Sequence, residues 1–428
     1  MFIERTQTFA SAHVLINKEL QHLGLYSGLR PFTNAGFTSY ECNLYYQDTR
    51  LLADRAFGKG YTEEAQLGAM CKALEQFTSI ASHVDLDYHY YSLAELQAQA
   101  FQVVAAKVPE QILNENKYRQ QALAWLPYEN YSDKNDRVFI PAASINPFYL
   151  LDQQLPDDRF PYAEIYLQCS NDGVALGCDR TETLIHAVSE CIERDALSFF
   201  LADHFMLQQP QALQVIDPKT ISVQNQALLQ RLQQQAQLSA TILLMPNAFG
   251  VPSFCTCIQD ARFIAPIHGF AAALDADYAL YRSIYECIER FNCYDVMTLL
   301  ESQAALRAFA KVPSLLDCVH FDIARLIAAG HSVSCDFGTI ASYVATDIEA
   351  YWQELLRRVL KQGFSVYYKI LYESENVCTL HAVLPEAESL WNILKGVVPP
   401  FGQRITTHLT RQNRDENQLD RQCAATAQ

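Results

Sequence analysis

The pentapeptide Glu190-Cys191-Ile192-Glu193-Arg194 recurs letter for letter as Glu286-Cys287-Ile288-Glu289-Arg290, 96 positions further along the chain. Chance is a poor explanation for such a repeat. Each copy closes a helix-like stretch, Thr-Glu-Thr-Leu-Ile-His-Ala-Val-Ser before the first and Tyr-Ala-Leu-Tyr-Arg-Ser-Ile-Tyr before the second. On a helix, Glu at i and i+3 share one face, where like charges repel by roughly 0.2–0.5 kcal/mol. A weaker third copy, Lys72-Ala73-Leu74-Glu75-Gln76, follows the glycine turn Gly58-Lys59-Gly60. For one copy alone, a solvated helix face with each Arg answering a Glu is the plainer reading. The repetition argues against it. So do the apolar flanks, Ala-Val-Ser and Ala-Leu-Ser-Phe-Phe-Leu, which predict part-buried charges that need partners. A divalent metal would offset clustered carboxylates, and hard oxygen ligands suit magnesium completed by water and phosphate.

Composition narrows the partners. The chain has 428 residues, half of them hydrophobic, which is enough for a large core. Its 32 basic and 48 acidic residues leave a formal charge of -16, which repels a nucleic-acid backbone but not a nucleotide bridged by magnesium. Thirteen cysteines without a CxxC pair argue against a disulfide framework or structural zinc and for a reducing compartment. Cys255 and Cys257, at strand spacing, read as core residues on one face. With charges at the N-terminus and no apolar run long enough to span a bilayer, the expected location is the cytoplasm, away from membranes.

Helical stretches such as Pro218 to Leu238 alternate with short apolar runs such as Ala240 to Met245 and Ser365 to Leu371. Many strand-like runs turn into further strands rather than crossover helices, which favours α+β over a doubly wound sheet. No Pro/Gly/Ser-rich linker divides the chain. One domain is expected over 1–409, with 410–428 as a flexible C-terminal tail.

Gly173-Val174-Ala175-Leu176-Gly177, then Thr181, then Glu190-Cys-Ile-Glu193-Arg194-Asp195-Ala196 resembles the most telling segment of the YcaO family. Gly58-Lys59-Gly60-Tyr-Thr62 with Ala65 resembles its first turn and helix, and Gly269 to Arg290 its third. Gly250-Val251-Pro252 and Val397-Val398-Pro399-Pro400 extend the likeness over roughly 20 to 405. The resemblance implies an α+β YcaO-type fold, with mixed and antiparallel sheets and helices converging on a central ATP and Mg2+ site. Glu75, Glu190 and Glu193 would hold the metal. Arg194 would meet the phosphates, and Glu286, Glu289 and Arg290 would complete the nucleotide pocket. Three departures stand out: Gly68 to Gln76 lacks a Ser, a Glu and an Arg of the family pattern, Glu289 replaces a common glutamine, and a Pro-x-Pro-x-Pro tail is missing. Lys72, in place of a metal-side carboxylate, reads either as a direct phosphate contact or as a sign of weakened nucleotide binding.

The implied activity is ATP-dependent cyclodehydration of a peptide, in which a Cys, Ser or Thr side chain attacks the preceding carbonyl and ATP phosphorylates the resulting oxyanion. Such a site works by positioning and charge neutralisation. A thioamide or amidine would follow from other nucleophiles, and a non-catalytic YcaO-like scaffold subunit remains an alternative. A two-metal hydrolase is disfavoured by the absence of HExxH or a His-rich ligand set. His186, four residues before Glu190, is the nearest candidate base, with a packed core histidine as the plainer reading. Lys59 could approach a phosphate, although Gly-Lys-Gly is not a Walker loop. The expected partners are a precursor peptide, a separate leader-peptide-binding protein, a flavin-dependent azoline dehydrogenase and a second copy of the chain as a homodimer.

Overall fold

The computed structural model describes residues 4–51, 55–151, 153–167, 169–207 and 210–412. The chain divides into two compact units. Of the described residues, the first comprises those up to Thr33, Thr38–Cys191 and Val344–Pro385; the second comprises Asn34–Phe37, Ile192–Tyr343 and those from Glu386 onward.

In the first unit, a seven-stranded sheet runs Gln102–Val103, Arg137–Pro141, Ala122–Asn130, Tyr367–Glu373, Cys378–Val383, Val174–Gly177, with His89–Ser92 also paired to Ala122–Asn130. Its pairings are antiparallel except Gln102–Val103 with Arg137–Pro141. A four-stranded sheet includes Ala56–Gly58. In the second unit, a five-stranded sheet runs Ile267–Ala272, Ser253–Ile258, Ala240–Leu244, Leu213–Ile216, Ser332–Cys335, the last pair parallel. These are the mixed sheets of an α+β fold, as expected.

Three strand-helix units carry the repeated motif. They are β1 (Ala56–Gly58) with α1 (Thr62–Ala81), β2 (Val174–Gly177) with α2 (Arg180–Leu201), and β3 (Ile267–Ala272) with α3 (Ala276–Asn292). Side-chain caps start the latter two: the Asp179 carboxylate accepts the Glu182 N–H at 2.9 Å, and Asp275 accepts those of Asp277 and Tyr278. The glycines of β1 and β3 let strand meet helix at backbone distance. A Cβ on Gly58 would lie 1.9 Å from the Ala65 carbonyl oxygen, and one on Gly269 would lie 2.1 Å from that of Ser283.

The element expectations hold with small shifts. The helix read from Pro218 begins only at Val223, because Asp217 draws the Lys219 N–H into a local turn and Ser222 then supplies the cap. The strand read from Ser365 runs Tyr367–Glu373. The first pentapeptide lies inside its helix rather than at the end, since apolar residues through Leu201 continue the buried face. Cys255 and Cys257 sit together in the second unit's core, and among the described residues the cysteines are free thiols. No helix among those residues is long and apolar enough to cross a membrane. The expected tail from 410 begins within a helical stretch, 403–412, and its remainder lies outside the described residues.

Candidate active site

In the first unit, α1 and α2 bring Lys72, Glu75 and Glu190 together. Glu75 is buried, with the Lys72 ammonium ion-paired to its carboxylate. Burial pushes the Glu75 carboxyl above its ordinary range, opposed by Lys72 and by a hydrogen bond from the Leu176 N–H; the charge of nearby Glu190 raises it further. Leu176 lies on β2, the edge strand of the large sheet, so Glu75 also satisfies a backbone donor there. The buried hydroxyls of Thr78 on α1 and Thr379 meet at 2.7 Å, fixing α1 against the adjacent strand. Further along the same face of α1, a cavity of about 40 Å³ is lined by Gln76, His83, Asn146 and His381, and the Gln76 Oε1 inside the protein lacks a hydrogen-bond partner. Lys59, between Gly58 and Gly60, and His186, one turn before Glu190, are half-buried.

In the second unit the arginines of both pentapeptides meet on one indole. The Arg194 guanidinium carbon lies 4.5 Å from the Trp391 ring and that of Arg290 lies 5.0 Å from it, with the Lys395 Nζ at 5.6 Å. Arg194 is ion-paired to Glu193, and Arg290 to Glu286 at 2.8 Å. Glu289, half-buried on α3, completes the predicted set. His268 on β3 is buried beside this group, its Nε2 without a partner and its pKa lowered to about 3 by burial and by Arg290.

The sequence reading missed Trp391 and the device that places it. Asp195, fully buried next to Arg194, accepts the Glu388 N–H at 2.9 Å and pairs with Arg404, while the Ser198 hydroxyl accepts the Leu390 N–H at 2.8 Å. These bonds clamp the chain just before Trp391 onto α2. The available signals were the Asp that follows Glu-Arg and the scarcity of tryptophan, of which the chain has 3.

Among the described residues, no group of three or more His, Cys, Asp or Glu side chains is gathered into a ready-made metal cage. The Glu75 and Glu190 carboxylates nonetheless suit an ion such as magnesium, which takes one or two protein carboxylates and completes its shell from water and phosphate.

Comparison with known proteins bears on the family and the fold. A family model described as YcaO cyclodehydratase, ATP- and Mg2+-binding, matches residues 57–388. A heterocyclase solved in complex with substrate and cofactor is similar in fold, with a TM-score of 0.64 at 15% identity over 91% of this chain; the chain spans 54% of that protein's length. YcaO from Methanopyrus kandleri, bound with AMPPCP and Mg2+, gives a TM-score of 0.63 at 15% identity, covering 94% of this chain and 97% of that one. The E. coli microcin synthetase McbBCD complex gives 0.54 at 14% identity, covering 84% and 88%. No curated protein sequence matches. With the family model spanning most of its length and the glycine-turn and Glu-x-x-Glu-Arg helices in place, the chain belongs to the YcaO family of ATP- and Mg2+-binding cyclodehydratases.

Proposed function

We propose that residues 1–409 act as one YcaO-like catalytic domain that uses ATP to phosphorylate a backbone amide oxygen of a ribosomally made peptide, cyclising Cys, Ser or Thr to azolines. The observation that carries this reading is the approach of Glu190 to the buried Lys72–Glu75 pair, inside the segment matched by the family. In the reaction, the substrate's side-chain sulfur or oxygen loses its proton and bonds to the preceding carbonyl carbon. The resulting oxyanion takes the γ-phosphoryl group of ATP, releasing ADP. The carbon–oxygen bond then breaks as phosphate leaves and the amide nitrogen gives up its proton to form C=N.

Glu75, Glu190 and Glu193 are assigned to magnesium, which when bound neutralises charge on the phosphates. Arg194 and Arg290 supply fixed positive charge to the phosphoryl oxygens, and Lys59 and Lys72 flank the nucleotide. Glu286 and Glu289 orient the arginines and close the pocket. His186 is assigned as the base that takes the nucleophile's proton. The same activation with sulfide or a backbone amine would give a thioamide or an amidine. A cytoplasmic setting is proposed, with thiazole- and oxazole-modified peptides of the bacteriocin type as products. The proposed partners are the precursor peptide, a leader-peptide-binding protein, a flavin-dependent azoline dehydrogenase and a second copy of the chain.

A second reading, a non-catalytic scaffold, draws on one observation: the Lys72 ammonium is ion-paired to Glu75. Calorimetric titration of Mg·ATP into the wild type and Glu190→Gln separates the two. Binding to the wild type that is lost in the variant is the expected result. No binding to either protein would replace the enzyme reading with the scaffold.

A further inference from the structure

We propose that Trp391 is a positioning residue that holds Arg194 and Arg290 as one phosphate-binding group, with Lys395 as its third cation. The inference rests on the nucleotide reading above. Three cations lie within 4.5, 5.0 and 5.6 Å of one indole in a protein whose formal charge is -16. The two guanidinium carbons therefore lie no farther apart than the sum of their distances to the ring, although like charges at that range repel. Each is also ion-paired on its own helix, Arg194 to neighbouring Glu193 on α2 and Arg290 to Glu286 one turn before it on α3. Both also meet the ring, whose quadrupole attracts each cation without neutralising it. Arginine recognises phosphate through its planar donor fork, so fixing the guanidinium plane on the ring fixes the geometry it offers to an anion.

The indole is itself fixed. Phe270 meets it edge-on, with ring centroids 5.7 Å apart at 88°, and the Asp195 and Ser198 hydrogen bonds hold the residues before it. This gives the Asp of the Glu-Arg-Asp-Ala sequence a task. It seats the chain that carries the platform for the arginine beside it.

Trp391 also packs partly against the core, so the test must separate packing from its π face. Full-length wild type, Trp391→Phe, Trp391→Leu and Lys395→Gln are titrated with Mg·ATP and with inorganic tripolyphosphate, and each thermal midpoint is recorded. Trp391→Leu should weaken both ligands about tenfold, Trp391→Phe less than about threefold and Lys395→Gln about threefold. Wild-type affinity in Trp391→Leu, or equal losses in Phe and Leu, overturns the proposal. If Trp391→Leu does not fold, Lys395→Gln decides, because Lys395 is exposed and its unchanged tripolyphosphate affinity would count against the grouping. Wild type that binds tripolyphosphate but not Mg·ATP keeps the anion site and removes the nucleotide reading; binding of neither removes both.

Discussion

Glu75 sits inside the protein with one ammonium against it, and the balance between burial and that ammonium sets its charge. Burial outweighs Lys72, so the folded carboxyl lies above its ordinary value of 4.5. A carboxyl raised on folding adds stability that is complete below the unfolded value and is lost as pH rises through the folded one. Glu75→Gln should therefore lose less stability than the wild type between pH 5 and 7, read as urea midpoints. Parallel curves would mean that Lys72 keeps the group ionised throughout. Lys72→Met should destabilise by about 1–2 kcal/mol at pH 7, less than a fully buried pair would, because the lysine side chain is 39% exposed. Glu75 was legible in the sequence as a third, degraded copy of the pentapeptide. The effect of Lys72 was not, since it depends on how deeply the neighbouring carboxylate is buried.

At the scale of elements, close strand-helix approach accounts for Gly58, which sequence alone marks only as a turn, and for Gly269. A methyl on Gly58 or Gly269 meets backbone atoms at 1.9 or 2.1 Å, and neither strand nor helix can yield without shifting the carboxylates that follow. Gly58→Ala and Gly269→Ala should each cost about 2–3 kcal/mol in chemical denaturation. Gly363→Ala is the control: its φ is +80° but nothing lies within 4 Å of the added carbon, so about 1–2 kcal/mol of backbone strain is the whole expected cost. Helix 403–412 is fastened differently. Glu388 accepts the N–H groups of Gly402 and Ile405 near its start, Arg404 pairs with buried Asp195, and His408 lies 2.6 Å from Asp203. Asp195→Ala strands Arg404 and should release this helix, seen as faster amide exchange over 403–412 while α3 stays protected. Unchanged exchange would show that Glu388 suffices. The pairing itself was not visible in the sequence, because Asp195 and Arg404 are joined only by the fold.

For the whole molecule, what sequence could and could not reveal follows the range of the interactions. The motif helices, their part-buried charges and the α+β class depend on spacing within a few residues, and all are present. The division into two compact units and the Trp391 platform depend on contacts between distant segments, for which no linker or local pattern gives notice. Acid stability belongs to this scale because the titrating groups are spread over both units. His83 and His381 in the first unit have pKa values lowered to about 4 and about 3, and His268 in the second to about 3, chiefly by burial, which also lowers that of His204 in the second. A histidine lowered on folding takes up its proton first in the unfolded chain. Stability then falls as pH drops from the ordinary 6.5 toward those values. Raised Glu75 and Asp195 act in the opposite direction, regaining stability as pH falls. Four histidines against two carboxyls, with lowered Glu19 and Glu354 adding their own loss below pH 4.5, leave a net destabilisation. Urea midpoints should fall between pH 7 and pH 5, with amide exchange accelerating in both units, by a free energy on the order of a few kcal/mol. A drop confined to the first unit would show that His204 and His268 take up protons without unfolding; the unpartnered Nε2 of His268 would then have found an acceptor in the fold.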